Sequence, residues 1–331
     1  GFATIVVTKE GTNYSSIAQV TVLPEGVEIE PMALTAGSHT VVLKADGTVW
    51  SYGVNSSYEL GDGTTTSSDI PVQVIFPKGT IIKQIAVGNT HNLALDADGN
   101  VWGWGANSNN ALGTAIARVP VKLGLSGIKK IAANNDQSMA LTNDGYVYVW
   151  GLNNNGELGT RTYEKVTKPT LLPYVNSILD ISLGKNHSLL LTTNGKVLTT
   201  GLNAYGQTGK KEGKCNEFEE LNLSDLIGQI SAGDNHSVLV TVKGEVYTFG
   251  LDNKGQLGTG DNENVTVPTK LKDINGIMKA SAGKGQTLLL NTNRSIYSVG
   301  ANEQGVLGIG TNENKNVFAK VTAVSDFMSI S

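Results

Sequence analysis

Hydrophobic and polar residues alternate in short runs along most of this chain, and glycine or asparagine separates one run from the next. The run His236–Thr241, for example, is followed by a Lys-Gly break and then by Glu245–Gly250. Alternation with a period of two is typical of half-buried β-strands, and a Gly-containing break between two such runs predicts a hairpin. Other copies have Asp-Gly or Asn-Gly there, for which we predict two-residue turns with positive φ at both positions. The chain is therefore predicted to be all-β.

The same pattern recurs about every 50 residues. A copy typically has Gly-x-x-His, an alternating strand, a turn, and a third strand, often aromatic, that ends in Gly. We interpret the anchor glycines and the histidines as structural repeat positions: Gly37, Gly88, Gly184, Gly233 and Gly283, with His39, His91, His187 and His236. Repeats of this length built from short strands indicate a β-propeller, in which each copy forms one four-stranded antiparallel blade.

The two ends of the chain determine the predicted number of blades. Residues 27–331 contain six full copies, residues 327–331 resemble the opening of another, and residues 1–12 resemble residues 37–48. We therefore favour seven blades, with strands from residues 1–26 and from the C-terminus closing the ring, because closure removes exposed sheet edges. The alternative is a six-bladed propeller, with residues 1–26 forming the tail of an immunoglobulin-like repeat and a linker.

The composition argues against several classes of function. The 331 residues carry a net charge of −4 and only 16% charged side chains, so we expect no nucleic-acid partner. Cys215 is the single cysteine, which excludes an intrachain disulfide. No apolar run is long enough to cross a membrane, and no signal peptide is visible. We expect a soluble monomer without membrane insertion.

Nothing in the repeat predicts an active site. Gln137 and Gln286 replace the histidine in two copies, and free exchange with glutamine argues for a hydrogen-bonding role. We therefore predict no catalytic, cofactor-binding or metal-binding residues. A calcium site at residues 260–264 is the alternative to an exposed polar turn, but the twelve-residue calcium motif is absent. The acidic loop residues fall in different copies and nothing brings a pair together: Asp62, Asp69, Glu157, Asp261 and Glu263.

Two more motifs have structural interpretations. Third strands place aromatic residues on one face, and we favour core packing over a sugar-stacking platform that would use Trp104 and Trp150. A Gly-x-Asn-x-x-Gly-x-Leu-Gly loop, as at residues 151–159, follows the third strand in several copies. No helical pattern follows this loop, so we predict a tight turn held by asparagine hydrogen bonds and not a phosphate-binding loop.

Together these motifs resemble the repeat of the regulator of chromosome condensation family. The matching segments include Ile-Ser-Leu-Gly-Lys-Asn-His-Ser-Leu-Leu-Leu at 181–191 and the corresponding residues 230–240, and the resemblance covers residues 27–331. It implies a propeller, usually seven-bladed, that binds macromolecules. The family includes exchange factors for small GTPases, ubiquitin-ligase modules and secreted bacterial inhibitors of β-lactamase, so it implies no single activity. No residue of this chain matches a nucleotide-exchange motif.

We predict a non-catalytic protein-binding module or scaffold, without cofactors, that binds an unidentified protein partner through loops on one face. We place it in a bacterial surface or secreted multidomain protein, with the cytoplasm as the alternative. A carbohydrate-binding propeller, a propeller enzyme and a GTPase exchange factor are the alternative functions. The loops that depart from the repeat are the binding candidates: Thr64–Ile70, Ala115–Val119, Arg161–Thr167, Lys210–Glu220 and Asn262–Val267.

Overall fold

The chain folds into short antiparallel strands. A computed structural model describes residues 2–8, 15–21, 23, 25–210, 213–323 and 327–330, and for residues 2–8 and 15–21 it describes the strands and their pairing only. A single 3-10 turn interrupts the strands of the described residues, at Ser108–Asn110. Within this part of the chain, no helix is long and apolar enough to span a membrane.

Six four-stranded sheets form the blades of a propeller, so the predicted propeller architecture is confirmed. In every blade the strands lie in chain order from the centre of the ring outward. The first three blades are β3 (Met32–Ala36), β4 (His39–Leu43), β5 (Val49–Gly53) and β6 (Ser68–Gln73); β7 (Ile82–Val87), β8 (His91–Asp96), β9 (Val101–Gly105) and β10 (Ala117–Lys122); and β11 (Ile128–Asn134), β12 (Gln137–Thr142), β13 (Val147–Gly151) and β14 (Val166–Leu171). The other three are β15 (Ile178–Leu183), β16 (His187–Thr192), β17 (Val197–Gly201) and β18 (Cys215–Glu220); β19 (Ile227–Ala232), β20 (His236–Thr241), β21 (Val246–Gly250) and β22 (Val265–Lys270); and β23 (Ile277–Ala282), β24 (Gln286–Asn291), β25 (Ile296–Gly300) and β26 (Lys315–Lys320).

The hydrophobic core lies between neighbouring blades. Val41 and Leu43 of the first blade, for example, pack with Ile85 and Trp104 of the second, and all four side chains are buried. Phe76, in the connection between these blades, contacts the Trp104 ring edge-to-face at 5.8 Å between centroids. The innermost strands of all six blades line a central cavity of about 780 Å³. Apolar surface is thus removed from water mainly by packing blade on blade.

The turns between second and third strands differ from the predicted two-residue turns. Lys44 N donates to Thr48 O at 2.9 Å and Gly47 N donates to Lys44 O at 2.9 Å, which encloses a three-residue loop. Gly47 has a φ of 78°, whereas Asp46 is not in the positive-φ region and instead accepts a hydrogen bond from Thr48 N at 3.0 Å. One glycine at the left-handed position is therefore sufficient for this hairpin, and the predicted second positive φ was wrong.

The prediction of seven blades was wrong: the ring has six. The strands β1 (Phe2–Thr8) and β2 (Ser15–Thr21) pair with each other in a separate two-stranded sheet. Residues 327–330 are not a strand. The likeness of residues 1–12 to residues 37–48 therefore indicated a hairpin, but a hairpin pattern is local and does not specify which sheet the strands will join. Residues 1, 9–14, 22, 24, 324–326 and 331 lie outside the described part, and the division into residues 1–26 and 27–331 stays a prediction.

Residues near both ends meet on the innermost strand of the sixth blade. Lys279 Nζ lies 2.6 Å from Ser329 Oγ and 3.4 Å from Glu30 Oε1. The pKa of Glu30 is lowered, first by a hydrogen bond from Ser329 and then by the positive charge of Lys279. Ile330 is buried against Leu290 and other apolar side chains of that blade. Residues 327–330 therefore cover an apolar face of the sixth blade next to the central cavity by side-chain contacts.

Candidate functional site

The repeated histidines join each blade to the next. His91 Nε2 in the second blade lies 2.9 Å from Ser138 Oγ in the third, and Ser138 Oγ donates to Ala111 O at 2.8 Å. Because the serine hydroxyl has one proton and gives it to the carbonyl, the imidazole must donate from Nε2. His91 therefore carries a proton on Nε2. The bridge runs from the second blade to the third and back to a loop of the second.

The same bridge recurs around the ring. Each histidine contacts a residue of the next blade, namely the one directly after that blade's histidine or glutamine position. That residue in turn donates a hydrogen bond to a loop carbonyl of the blade that carries the histidine. The other instances are His39 with Asn92 and Glu59 O, His187 with Ser237 and Gln207 O, and His236 with Thr287 and Gln256 O. The histidines thus lie at four separate blade junctions and do not form a cluster.

Burial keeps these imidazoles neutral. It lowers the pKa of His91 and of His187 to about 3 and that of His236 to about 4, and it also lowers the pKa of His39. In the described residues the Nδ1 atoms of His91, His187 and His236 have no hydrogen-bond partner. Each of these atoms carries only a lone pair when the ring is neutral and protonated on Nε2. With the pKa values lowered in this way, these rings are uncharged near neutral pH.

The anchor glycine makes room for the histidine ring. A Cβ on Gly184 would lie 2.2 Å from His187 Cε1 and 2.5 Å from Gly233 O. Gly88 and Gly233 are enclosed in the same way by His91 and His236. The Gly-x-x-His motif is therefore a packing requirement: the ring lies on the glycine Cα, and the next blade closes the space beyond it.

Sequence analysis missed the residue that accepts the hydrogen bond from the histidine Nε2–H. It is a small polar residue directly after the histidine or glutamine position in every copy: Thr40, Asn92, Ser138, Ser188, Ser237 and Thr287. That regularity was available as a signal. In the third blade, Gln137 replaces the histidine and its Nε2 donates to Lys185 O at 2.9 Å and to Glu157 Oε1 at 3.2 Å. At the first blade, the Thr40 hydroxyl instead bonds Thr35 Oγ1 at 2.8 Å.

The loop between third and fourth strands is held by a buried asparagine. Asn153 Oδ1 accepts from Leu158 N at 2.9 Å, while Asn153 Nδ2 donates to Thr162 O at 3.0 Å and to Glu164 O at 3.1 Å. One side chain thus replaces the backbone bonds that the loop lacks, and it cradles no ligand. The structural interpretation of the Gly-x-Asn loop is correct for this copy.

Four of the five candidate loops meet in two neighbouring pairs, and the fifth contacts the sixth blade. Gly63 N, next to the loop Thr64–Ile70, donates to Arg118 O at 3.2 Å in the loop Ala115–Val119. Gly260, before the loop Asn262–Val267, donates from N to Asn316 O of the sixth blade at 2.8 Å. These contacts link each loop to the adjacent blade at the outer rim of the ring.

The loops Arg161–Thr167 and Lys210–Glu220 meet in a more elaborate way. Arg161 Nε donates to Glu217 Oε2 at 2.8 Å, and its guanidinium lies 4.0 Å from the centroid of the Tyr174 ring. Lys214 Nζ lies 4.3 Å from the centroid of the Tyr163 ring. We call these five residues the Tyr163 cluster. Residues 211 and 212 of the second loop lie outside the described part.

The remaining candidates show no convergent chemistry. Trp104 and Trp150 are both 0% exposed, so neither ring can stack on a sugar. Within the described residues, no group of three His, Cys, Asp or Glu side chains is placed to hold a metal ion. Glu157 is buried and accepts from Asn155 N at 2.7 Å, and burial raises its pKa. Burial also raises the pKa of Cys215, whose thiol donates to Glu219 Oε1 at 2.9 Å.

Comparison with known proteins gives a family and a fold. The family model described as RCC1-like domain matches residues 9–225 and 68–331. The mitochondrial RCC1 domain-containing protein RUG3 of Arabidopsis thaliana is 39% identical over 82 residues, which are 25% of this chain and 18% of that protein. The ultraviolet-B receptor UVR8 of the same plant is 34% identical over 96 residues, 28% of this chain and 22% of the receptor. The chain spans about a fifth of the length of these curated relatives.

Two solved structures share the architecture. Prp20p of Saccharomyces cerevisiae superimposes with a TM-score of 0.78 at 24% identity, over 88% of this chain and 76% of that one. Human WBSCR16 superimposes with a TM-score of 0.79 at 22% identity, over 92% of this chain and 84% of that one. At 22–24% identity, the likeness to these two structures shows a shared fold and nothing more.

Proposed function

The chain belongs to the RCC1-like domain family, and from this premise we propose that it is a non-catalytic module that binds a protein partner through its rim loops. The blades use their polar side chains to hold one another, so the repeat itself has few groups left for a ligand. The long loops between third and fourth strands carry the residues that differ from copy to copy. A rigid scaffold with variable loops is the usual architecture of a binding protein.

The Tyr163 cluster is the observation that carries this proposal. Tyr163 is 40% exposed, and the Arg161 side chain is 59% exposed although it is fixed by Glu217 and Tyr174. Tyrosine and arginine are enriched at protein interfaces, and ordering them before binding reduces the entropy lost on association. The cluster joins two loops of different blades into one surface with aromatic, cationic and anionic groups. Such a mixture fits a protein surface better than a sugar or a nucleic acid.

The relatives support a protein ligand only as a class. The structure of Prp20p is described together with its binding to Gsp1p and histones. We transfer to this chain only the proposal that its ligand is a protein. Exchange-factor activity has no residue-level support in this chain, and we do not assign it.

A capture experiment with matched tyrosines tests the proposal. Tyr163 and Tyr146 are both 40% exposed, but Tyr146 lies at a hairpin turn between second and third strands, at the opposite end of its blade from the third-to-fourth loop. The wild-type chain, Tyr163→Ala and Tyr146→Ala are immobilised in equal amounts and incubated with extracts of the source cells and their surroundings. We expect one saturable protein that Tyr163→Ala loses by at least about tenfold, as for an interface hot spot, and that Tyr146→Ala retains.

Two results would contradict this function. A protein captured equally by all three baits would show that the rim loops are not the binding surface. Saturable binding of a glycan array, with no protein captured, would replace the protein partner by a carbohydrate at a site other than Trp104 and Trp150.

We further propose that the module belongs to a bacterial surface or secreted protein. The support is the likeness of residues 1–23 to the end of a bacterial immunoglobulin-like repeat. Protease treatment of intact source cells, followed by mass spectrometry of the released peptides, should detect propeller peptides. Their appearance only after lysis would place the protein in the cytoplasm.

A further inference from the structure

All six long loops share one buried hydrogen bond. The residue two positions after the glycine that ends the third strand accepts, through Oδ1, from the backbone N–H five residues on, at 2.8–3.0 Å. The accepting residues are Asn55, Asn107, Asn153, Asn203, Asp252 and Asn302. Five loops thus carry an amide at this position, and the loop of the fifth blade carries a carboxyl group.

In three of these loops the amide also donates twice. Nδ2 of Asn55, Asn153 and Asn302 donates to the carbonyl oxygens of the residues nine and eleven positions on, at 2.7–3.1 Å. Asn153 Nδ2 also lies 2.9 Å from Thr160 Oγ1, seven positions on, so three oxygen atoms share its two hydrogens. The NH₂ group therefore lies in a small cage of oxygen atoms, and it supplies the hydrogens that this cage needs.

The fifth loop has the same register. Asp252 N donates to Asn264 Oδ1 at 2.9 Å, twelve positions on, as Asn302 N donates to Asn314 Oδ1 at 2.6 Å. Asp252 Oδ2 lies 3.0 Å from Thr259 Oγ1, again seven positions on. A carboxyl oxygen therefore occupies the place of the amide NH₂, and from the register of the other three loops we expect the carbonyl oxygens of residues 261 and 263 beside it.

The hydrogens in this cage do not suffice if Asp252 is ionised. Thr259 Oγ1 lies 3.0 Å from Asp252 Oδ2 and also 3.1 Å from Asp261 Oδ1, but the hydroxyl has one proton to donate. Glu263 N supplies a second hydrogen, and it points to Asp261 Oδ1 at 3.1 Å. Asp252 is 0% exposed, so water does not readily reach its carboxyl group, whereas Asp261 is exposed to water. Two oxygen atoms in hydrogen-bond contact without a hydrogen between them repel each other, and this costs free energy.

We propose that Asp252 carries a proton in the folded ring and that this proton latches the loop of the fifth blade. The carboxyl O–H donates to Thr259 Oγ1, and the Thr259 hydroxyl donates in turn to Asp261 Oδ1. Loss of the proton breaks this chain and leaves a buried negative charge among oxygen atoms. The segment 259–264, on the far side of the cage, then separates from Asp252.

The charges around the cage favour the protonated form at mildly acidic pH. Burial, together with the negative charge of Asp261, raises the pKa of Asp252 to about 6 against the hydrogen bonds from Leu257 and Thr259. Glu263 adds a second carboxylate to the same loop. The nearby cations are engaged elsewhere: Lys254 with Glu303 at 2.5 Å and Lys315 with Glu313 at 3.2 Å. His236, on the second strand of this blade, is neutral because its pKa is about 4.

The isosteric substitution Asp252→Asn tests the latch. The variant restores the amide of the other loops, so we expect its thermal midpoint to exceed that of the wild type by little at pH 4.5 and by clearly more at pH 7. Hydrogen exchange of the peptide 251–264, corrected for the intrinsic pH dependence, should accelerate in the wild type by about 20-fold between pH 4.5 and pH 7, since the pKa of the Asp252 carboxyl is about 6 in the closed loop and about 4 in an open one. The variant should show no such acceleration. The reverse substitution Asn302→Asp should transfer the pH dependence to the sixth blade.

Two outcomes would overturn the proposal. Equal differences between wild type and Asp252→Asn at pH 4.5 and pH 7 would show that the carboxyl group does not titrate between them. Stabilisation of the wild type by millimolar calcium at pH 8, absent in the variant, would show that a cation and not a proton fills the cage.

Discussion

Acidification should destabilise the ring through three buried imidazoles. His91, His187 and His236 are 0% exposed, with pKa values of about 3, 3 and 4. In an unfolded chain the histidine pKa is about 6.5. Because the folded-state pKa is the lower one, the unfolded chain binds protons first as the pH falls. The stability is therefore complete above pH 6.5 and is lost progressively toward pH 4 and pH 3.

The expected loss is large in comparison with the stability of a domain. One unit of pKa difference corresponds to about 1.4 kcal/mol. Between pH 7.5 and pH 4.5 each imidazole should therefore cost about 2.5 kcal/mol, and the three together about 8 kcal/mol. A total of this size is comparable to the whole free energy of unfolding of an ordinary domain, about 5–15 kcal/mol.

The substitution His187→Gln isolates one third of this effect. Gln137 occupies the corresponding position of the third blade, where it is buried and hydrogen-bonded, so glutamine fits the repeat. Urea unfolding of wild type and variant is measured from pH 7.5 to pH 4.5. We expect a modest loss at pH 7.5, about 1 kcal/mol for one weakened hydrogen bond, and a pH dependence smaller by about 2.5 kcal/mol over the range. Carboxylates that titrate in both proteins contribute equally to the two pH dependences, so their contribution cancels when one is subtracted from the other.

An equal pH dependence in the two proteins would refute this reasoning. So would a direct titration in which the His187 Cε1–H resonance of the folded protein moves with a midpoint near 6.5. Either result would mean that water reaches the ring in the folded state.

Two other substitutions test the geometry of the bridge. Gly184→Ala should destabilise the protein by about 3 kcal/mol or more, because the added Cβ would lie 2.2 Å from the His187 ring. Gly283→Ala is the matched control, since its nearest neighbour would be 3.4 Å away, and its thermal midpoint should change little. Ser237→Ala should cost about 2–4 kcal/mol in urea unfolding, because it leaves the His187 Nε2–H and the Gln207 carbonyl without partners. Ser237→Thr should be tolerated, and equal losses in both variants would contradict the hydrogen-bond explanation.

The strands and their order within each blade were predictable because they are repeated. Alternation at His236–Thr241 or at Glu245–Gly250 is weak evidence alone, but the same pattern in six copies is specific. The family resemblance was confirmed for the same reason. The number of blades was not predictable in this way. It depends on which partners the strands at the two ends find, and the pattern of residues 1–12 describes only a hairpin.

The histidine bridges illustrate a similar limit. The exchange of histidine for glutamine in the sequence indicated a hydrogen-bonding role, but a hydrogen bond has two ends. The acceptor lies in the following copy, one residue after that copy's histidine position, as Ser138 does for His91. Only the packing of one blade on the next brings these residues together. Sequence comparison within the chain could have found the small polar position without revealing its partner.

Departures from the repeat carry more information about chemistry than the repeat itself. Gln137 departs from histidine, and both hydrogens of its amide find acceptors, Lys185 O and Glu157 Oε1, whereas its Oε1 has no partner in the described residues. Asp252 departs from asparagine, and its surroundings lack the hydrogen that the amide would have provided. The two substitutions look alike in the sequence. What separates them is the count of hydrogens available at each buried position, and three asparagine copies supply the reference for that count at Asp252. A repeat protein therefore contains its own control for each unusual residue, once the structure shows which atoms correspond.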